Sequence, residues 1–248
     1  METQESAVPD NRDPHVADGK WEFDESVTKV FDKMLANSIP GYETMRWTTT
    51  NLALKFLPVE YQSHILDVGA SRGQAVLPII KERPLLNVTA VEPSEAMFSE
   101  LDAALRAAVD DHHRVNAFQK DFREFDLPHQ FYDVVLSVLT LMFIPIEDRQ
   151  AELQKLYLSL KPGGALFLVE KTLGSTPMMN ALMVEEYYDM KARNGYTQEQ
   201  IERKRLSLQG VLVPVLPRWN EDMLREVGFT NIECYWKTLQ FTGWIAVK

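Results

Sequence analysis

The 248-residue sequence has little of what marks several classes of protein. It contains one cysteine, Cys234, which excludes an intramolecular disulfide and favours a reducing compartment. Its five histidines show no metal-ligand spacing, and the pair His112 and His113 predicts a polar loop, so we expect no metal site. No apolar run approaches the roughly 20 residues that cross a bilayer, and the first twenty residues are polar, unlike a signal peptide. We therefore expect a cytoplasmic protein.

Positive charge is also scarce, because 26 Lys and Arg residues face 36 Asp and Glu residues and leave a formal charge of −10. Such a field repels phosphate backbones, so we expect no direct binding to nucleic acid or membranes and favour a small-molecule substrate. The hydrophobic content of 45% supports one large domain with a full core. Residues 1–20 carry prolines and charges without a period and predict a flexible tail, which leaves 21–248 as the domain.

Two motifs at strand ends point to a nucleotide site. Residues 66–73 read Leu-Asp-Val-Gly-Ala-Ser-Arg-Gly, a strand that ends in a glycine-spaced turn. Gly69 and Gly73 allow a tight turn and a close approach to a ligand, because glycine has no Cβ. Their G-x-x-x-G spacing is not the dinucleotide fingerprint, and by itself it also fits a structural turn. Nineteen residues after Gly73, the predicted strand 87–91 ends at Glu92, where a carboxylate can accept both hydroxyls of a ribose.

This pairing resembles the class I S-adenosylmethionine (SAM)-dependent transferases. The resemblance implies an α/β, Rossmann-like fold with SAM as cofactor, built on a seven-stranded, mostly parallel sheet with a closing antiparallel hairpin. It also implies that Asp67 and the backbone of Gly69, Ala70 and Ser71 meet the methionine half of SAM, while Glu92 holds the ribose.

Two later strands supply further candidates for the same ligand. Asp121 and Phe122 follow the strand predicted at 114–119, where the acid can accept from the adenine amine and the ring can stack. Asp121 also fits the role of an N-cap or loop acid. Ser137, in the strand predicted at 132–138, would lie near the sulfonium in this fold, or would be a buried serine bonded to backbone.

The remaining pattern alternates as a parallel sheet requires. An N-terminal region, 21–57, holds two helices, one from residue 23 to the Pro40-Gly41 break and one at 43–57. A helical insertion at 175–209 holds two consecutive helices without a strand between them and reads as a lid or a partner-binding arm. The other predicted helices are 72–81, 94–109, 147–160, 178–191, 198–208 and 219–227, and the other predicted strands are 64–68, 165–170, 231–239 and 241–247.

A closer resemblance lies outside the nucleotide core. Residues 21–25, 30–31 and 38–42, together with Asn194-Gly195-Tyr196 and Lys204-Arg205, resemble the carboxy-SAM synthases that act in wobble-uridine modification of tRNA. The resemblance spans about 21–248. It implies that a homodimer converts SAM and prephenate into carboxy-SAM and phenylpyruvate, the deprotonated methyl carbon capturing the released carboxyl group.

The same resemblance assigns two residues to the ligand. Tyr42 would contribute to the pocket, and Arg205 would reach the new carboxylate from the neighbouring subunit of the homodimer. A planar guanidinium suits that role because it matches a carboxylate by two parallel hydrogen bonds. Read without the family, Arg205 fits the solvated face of a helix that also carries Glu199 and Glu202.

Several positions depart from the family pattern. The chain has Glu92-Pro93 where the synthases have Asp-Asn, Ala70 where they have Cys, and Ser137 where an Asn is expected. Pro93 thereby loses a side-chain partner for adenine. These changes also fit an ordinary small-molecule methyltransferase with tyrosines of the insertion shaping its acceptor pocket, and a catalytically silent SAM-binding protein is a third interpretation. The catalytic base is not identified by the sequence.

Overall fold

The computed structural model describes residues 19–83, 85–109 and 114–248. The predictions for residues 1–18 and for His112 and His113 lie outside these ranges. Among the described residues, no helix is long and apolar enough to span a membrane. The same residues contain no cluster of three or more side chains of the kinds that hold a metal ion.

A seven-stranded sheet organises the fold, with strand order β3-β2-β1-β4-β5-β7-β6. Strands β1 to β5 pair in parallel, β7 runs antiparallel to β5, and β6 and β7 form the closing hairpin. The predicted sheet is confirmed, and its strand order reverses beside β1, where open α/β sheets bind ligands. The strands are β1 Ser63–Val68, β2 Leu86–Val91, β3 Arg114–Phe118, β4 Tyr132–Val138, β5 Leu160–Lys171, β6 Asn231–Thr238 and β7 Phe241–Val247.

The predicted helices are all present, with shifted ends. Two begin at side-chain caps, because the Asp24 carboxylate accepts from the Val27 N–H and the Ser94 hydroxyl accepts from the Met97 N–H. Short 3₁₀ turns at Phe122–Glu124 and Leu141–Phe143 have no counterpart in the prediction. The helices are α1 Glu25–Ser38, α2 Tyr42–Ala53, α3 Leu77–Glu82, α4 Glu95–Ala108, α5 Ile146–Ser159, α6 Pro177–Arg193, α7 Gln198–Ser207 and α8 Pro217–Glu226.

Two boundaries differ from the prediction for local reasons. Helix α3 begins at Leu77 rather than at residue 72, because Gly73 has φ +84° and an α-helix cannot continue through that conformation. Strand β5 begins at Leu160, five residues before the predicted start, because Leu160 already pairs with Tyr132 ahead of a register shift. Neither change moves the carboxyl ends of the strands.

The core lies on both faces of the sheet, and smaller clusters cover its carboxyl edge. On one side, Phe31 and Met34 of α1 pack with Trp21 and with Met97 of α4. On the other, Met45 of α2 belongs to a cluster formed with α6 and the hairpin. The N-terminal helices and the insertion therefore flank the edge where the parallel strands end.

Candidate active site

The loop after β1 is fixed by the end of β2. The N–H groups of Gly69 and Ala70 both donate to the Val91 carbonyl, at 2.9 and 3.1 Å. Gly69 and Ser71 have φ of 63° and 50°, in the left-handed region where a serine is uncommon. Backbone strain of this kind is concentrated at ligand sites, and here the neighbouring strand holds it in place.

Both glycines of the motif face protein atoms. A Cβ on Gly69 would overlap the Thr140 side chain, whose hydroxyl donates to the Val68 carbonyl at 2.9 Å. A Cβ on Gly73 would press against Leu101 and Leu77 at 3.1 and 3.2 Å. The glycines are therefore required by packing as well as by any ligand, and the sequence alone does not indicate Thr140 as the neighbour.

Glu92 joins the two sequence motifs directly. Its side chain is buried, and its two oxygens accept from the Ser71 N–H at 2.8 Å and from the Ser94 N–H at 2.9 Å. Burial raises the pKa of Glu92 while these two hydrogen bonds oppose the shift. Because each carboxylate oxygen has two lone pairs, capacity remains for hydroxyl donors from a ligand.

Three adjoining cavities follow this edge of the sheet. The first and second cavities meet at Phe23, Gly69 and Ser71, and the first and third meet at Lys171 and Tyr187. Of the predicted site residues, the first cavity is lined by Tyr42, Asp67, Gly69, Ala70 and Ser71, the second by Gly69, Ser71, Glu92, Pro93, Asp121 and Phe122, and the third by Arg205. The structure thus brings ten of the twelve together along one connected space.

Gly73 and Ser137 line none of the three cavities. Gly73 packs between helices, as its leucine neighbours show. Ser137 is buried within the sheet, where β4 pairs it with Val68 on one side and Leu168 on the other. Its position agrees with the interpretation of a buried strand serine.

Asp67 presents an acid to the first cavity. The side chain is 1% exposed, and its Oδ2 has no hydrogen-bond partner among the described residues. Burial raises its pKa to about 8, an effect that the positive charge of Arg46 opposes and that of Glu92 reinforces. A buried acid without a partner is suited to a cation supplied by a ligand, since burying a lone carboxylate is costly. The ammonium group of a methionine moiety would meet that requirement.

Helix α2 places a tyrosine and an arginine over the same cavity. Gly41, with φ 70°, is the N-cap of this helix and lies beside the Trp236 ring. Tyr42 is the first residue of the helix and lines the cavity. One turn later Arg46 donates to the Tyr42 hydroxyl at 3.2 Å. Sequence reasoning missed Arg46, although its i,i+4 spacing from Tyr42 puts both on one helix face.

Asp121 caps the 3₁₀ turn Phe122–Glu124 and also borders a cavity. Its carboxylate accepts from the Arg123 N–H at 2.9 Å and pairs with the Arg123 guanidinium at 2.7 Å, which lowers the pKa of Asp121. The same residue lines the second cavity beside Phe122. The Lys155 ammonium lies 4.1 Å from the centroid of the Phe122 ring. This contact with Lys155 helps to hold the Phe122 ring in place.

Arg205 lies on the exposed side of α7. Its guanidinium makes a two-point contact with Glu202, at 2.7 and 2.6 Å, which raises the pKa of Arg205. This is the solvated helix face that the sequence offers as one alternative. The residue also borders the third cavity.

Two lysines that sequence reasoning did not assign to the site also line the first cavity. Lys204 precedes Arg205 on α7, and its ammonium lies 4.8 Å from the Trp21 ring. Lys171 is the last residue of β5. A lysine that closes a strand directly after a buried acid, here Glu170, is the signal that could have drawn attention to the second of them.

Known proteins are similar to this sequence over most of its length. A family described as a methyltransferase domain matches residues 65–164. A carboxy-S-adenosyl-L-methionine synthase of Wolinella succinogenes is 36% identical over 92% of this chain and 94% of its own. One of Chromohalobacter salexigens is 33% identical over 92% of this chain and 83% of its own. The matched regions include the N-terminal helices and the insertion.

Solved structures share the fold at lower identity. A SAM-dependent methyltransferase of Leishmania major superposes with a TM-score of 0.60 and 18% identity, covering 91% of this chain and 78% of that one. An O-methyltransferase family protein of Burkholderia thailandensis gives 0.61 and 17%, covering 91% of this chain and 60% of that one. At such identities these likenesses concern architecture alone.

Proposed function

The chain belongs to the carboxy-S-adenosyl-L-methionine synthase family, a group of class I SAM-dependent transferases, and we propose that it converts SAM and prephenate into carboxy-SAM, phenylpyruvate and water. The observation that carries the proposal is the connected cavity. One part presents the unpartnered acid Asp67, suited to the cationic methionine half of SAM, and the adjoining part is lined by Lys171 and Lys204, suited to carboxylates.

In this proposal SAM lies across the first and second cavities. Asp67 pairs with its ammonium group, and the methionine half lies against the loop of Gly69, Ala70 and Ser71. Glu92 accepts from the ribose hydroxyls with the lone pairs that Ser71 and Ser94 leave open. Asp121 and Phe122 hold the adenine. Pro93 lines the same cavity and offers the adenine an apolar contact but no hydrogen bond.

The walls of the first cavity supply the second requirement, which is exclusion of water. A carbanion that must capture a released carboxyl group is lost if water protonates it first. The cavity is lined by apolar side chains of the N-terminal segment and α1, contributed by Trp21, Phe23, Phe31, Met34 and Leu35. The N-terminal helices thus have a chemical role in addition to packing.

We further propose that the chain acts as a homodimer assembled through the insertion. Helix α6 exposes Met178 and Leu182 at 64% and 48%, and α7 exposes Leu206 at 51%. Covering these side chains would bury apolar area, the main favourable contribution to association. Arg205 lies next to Leu206 and could then exchange Glu202 for a carboxylate in the partner's cavity. A monomer mass in light scattering at micromolar concentration would contradict this assembly.

The activity is tested by supplying SAM and prephenate and following phenylpyruvate. Mass spectrometry of the small molecule that co-purifies adds an independent measurement, because SAM and carboxy-SAM differ by one carboxyl group. Both products should form in equal amounts. A folded enzyme that yields no prephenate-dependent product would favour a plain methyltransferase.

The Arg205→Ala variant distinguishes the synthase from a plain methyltransferase by its effect on ligand affinity. If Arg205 pairs with the carboxylate of carboxy-SAM, the variant should lose more affinity for carboxy-SAM than for SAM, because SAM has no such group. Calorimetry with both ligands gives the two losses. Arg203→Ala, on the same helix, is the matched control. Equal losses for both ligands would remove the role assigned to Arg205.

A further inference from the structure

Lys171 differs from the charged side chains that the fold buries for its own support. Arg149, for example, donates to three backbone carbonyls, at 2.9, 3.1 and 2.8 Å. Glu170 accepts from the Leu141 N–H at 3.0 Å. The Lys171 ammonium has no hydrogen bond or ion pair with any residue in the described part of the chain. Its neighbours are two aromatic rings, Tyr187 at 4.7 Å and Phe241 at 5.9 Å from the ring centroids.

Its surroundings favour an anion that comes from outside the chain. Burial lowers the pKa of Lys171 to about 8, and no carboxylate opposes that shift. Ring faces attract a cation less strongly than a charge-assisted hydrogen bond does together with charge neutralisation. An ammonium held in this way retains its three donors for a ligand.

The location of Lys171 fits a ligand that reacts beside SAM. Strand β5 runs parallel to β4, which in turn pairs in parallel with β1, so Lys171 and Asp67 lie at the same edge of the sheet. Lys171 lines both the first and the third cavity, and Asp67 lines the first. A molecule anchored at Lys171 would therefore lie between the methionine half of SAM and the helical insertion.

We infer that Lys171, whose ammonium lies near the Tyr187 and Phe241 rings, is the anchoring residue for a carboxylate of the second substrate. The inference rests on the proposed function in taking prephenate as that substrate. Lys171 acts here through charge and position, and the aromatic walls orient the rest of the molecule by contact with its ring. No proton transfer is assigned to it.

Two substitutions test the charge separately from the packing. Lys171→Met keeps an unbranched chain between the rings and removes the charge, whereas Lys171→Arg keeps the charge. The matched control is Lys248→Met. Its ammonium also lies over a tyrosine ring, 4.6 Å from the Tyr157 centroid, but at the end of β7, which runs antiparallel to β5 and so ends at the opposite edge of the sheet.

Calorimetry first measures SAM, then phenylpyruvate added to the full chain saturated with SAM, and prephenate added to the full chain without SAM, because the two substrates together would react. Lys171→Met should bind both carboxylates at least about ten-fold more weakly, the loss of one charged hydrogen bond, while SAM affinity stays within about two-fold. Lys171→Arg should restore most of the carboxylate affinity. Lys248→Met should bind all three ligands as the unmodified protein does. In turnover, the KM for prephenate should rise in Lys171→Met.

A pH series supplies a readout that a packing role would not move. Carboxylate affinity of the unmodified protein should fall as pH rises above about 8, where the ammonium loses its proton, and should stay level in Lys171→Arg. The unmodified protein and Lys171→Arg share every other titratable or charged group around this space, so those groups cannot cause a difference between the two pH profiles. The groups are Asp67 on β1, Tyr42 and Arg46 on α2, Tyr187, Tyr188 and Lys191 on α6, and Lys204 and Arg205 on α7.

The outcomes for Lys171 and for the proposed function are distinct. Unchanged carboxylate binding in Lys171→Met, or no binding of either carboxylate to the unmodified protein, overturns the inference about Lys171. Loss of kcat in both variants with unchanged carboxylate affinity also overturns it, because a residue that moves a proton would behave in that way. Binding that depends on Lys171 without formation of phenylpyruvate keeps the inference and overturns the proposed synthase activity.

Discussion

The two ends of the connected cavity are built in different ways. Around the glycine loop, the contacts are short, local and largely made by backbone, as in the hydrogen bonds from Ser71 and Ser94 to Glu92. At the insertion, the cavity is lined by long side chains that rest on rings or point to solvent, as Lys171 and Arg205 do. The first end is fixed before a ligand arrives, whereas the second holds Lys171, whose ammonium has no hydrogen bond or ion pair among the described residues.

This difference separates what the fold class shares from what distinguishes one transferase from another. A preformed backbone turn can bind the common part of SAM in any member of the class. In the proposed function, selection of the second substrate depends on side chains at the other end, which the ends of β5 and β7 and the insertion carry. Substitutions at the two ends should accordingly have different consequences for folding and for binding.

The largest effect is expected at the preformed end, from Gly69→Val. The new side chain would overlap Thr140 and occupy φ 63°, so it should destabilise the fold by about 2–5 kcal/mol rather than merely block SAM. Urea denaturation measures the loss. The double variant Gly69→Ala with Thr140→Ala should recover part of the stability lost by Gly69→Ala alone. Full stability of Gly69→Val would show that the loop is less constrained than the structure indicates.

A smaller effect is expected from Glu92→Gln, which keeps one acceptor oxygen for the loop. Loss of the charged acceptor should weaken SAM binding by about 1.5–3 kcal/mol, as for hydrogen bonds to charged groups. Calorimetry gives the affinity, and the denaturation midpoint shows whether Ser71 and Ser94 still hold the loop. Unchanged affinity in a folded protein would remove the ribose role from Glu92.

Asp67 should couple SAM binding to proton release. With its pKa at about 8, the free protein carries the proton at pH 7, and the ammonium of SAM should drive it off by stabilising the carboxylate. Calorimetry at pH 7 in buffers of different ionisation enthalpy should detect release of up to about one proton, and less at pH 9. Asp67→Asn should remove this component. Equal proton release in both proteins would contradict the pairing.

The same residue affects stability in the free protein, with a definite sign. The folded pKa of about 8 exceeds the ordinary value of 3.8, so the folded state binds the additional proton between these values. The contribution of Asp67 is therefore fully present below about pH 4 and is lost as pH rises through about 8. Asp67→Asn should flatten this part of the stability profile, which thermal denaturation at several pH values measures.

The smallest effect is expected at the insertion, from Glu202→Gln. The pair with Arg205 is exposed, so its loss should leave the denaturation midpoint essentially unchanged. Freed from Glu202, Arg205 should bind carboxy-SAM no more weakly than before. A marked loss of stability would show that the outer face of α7 also stabilises the fold. The two ends of the site would then differ less in their contribution to folding stability.

The sequence by itself determined the sheet, its helices and the residues at strand ends, because hydrophobic period, caps and glycine turns act over a few neighbouring positions. Gly69 and Glu92 could be chosen in that way. Only the tertiary structure decided that Thr140 occupies the space beside Gly69, that Ser137 lies inside the sheet away from the cavities, and that Lys171 meets Tyr187 and Phe241. Those contacts join residues far apart in the chain, and no local pattern specifies which distant side chains will share a cavity.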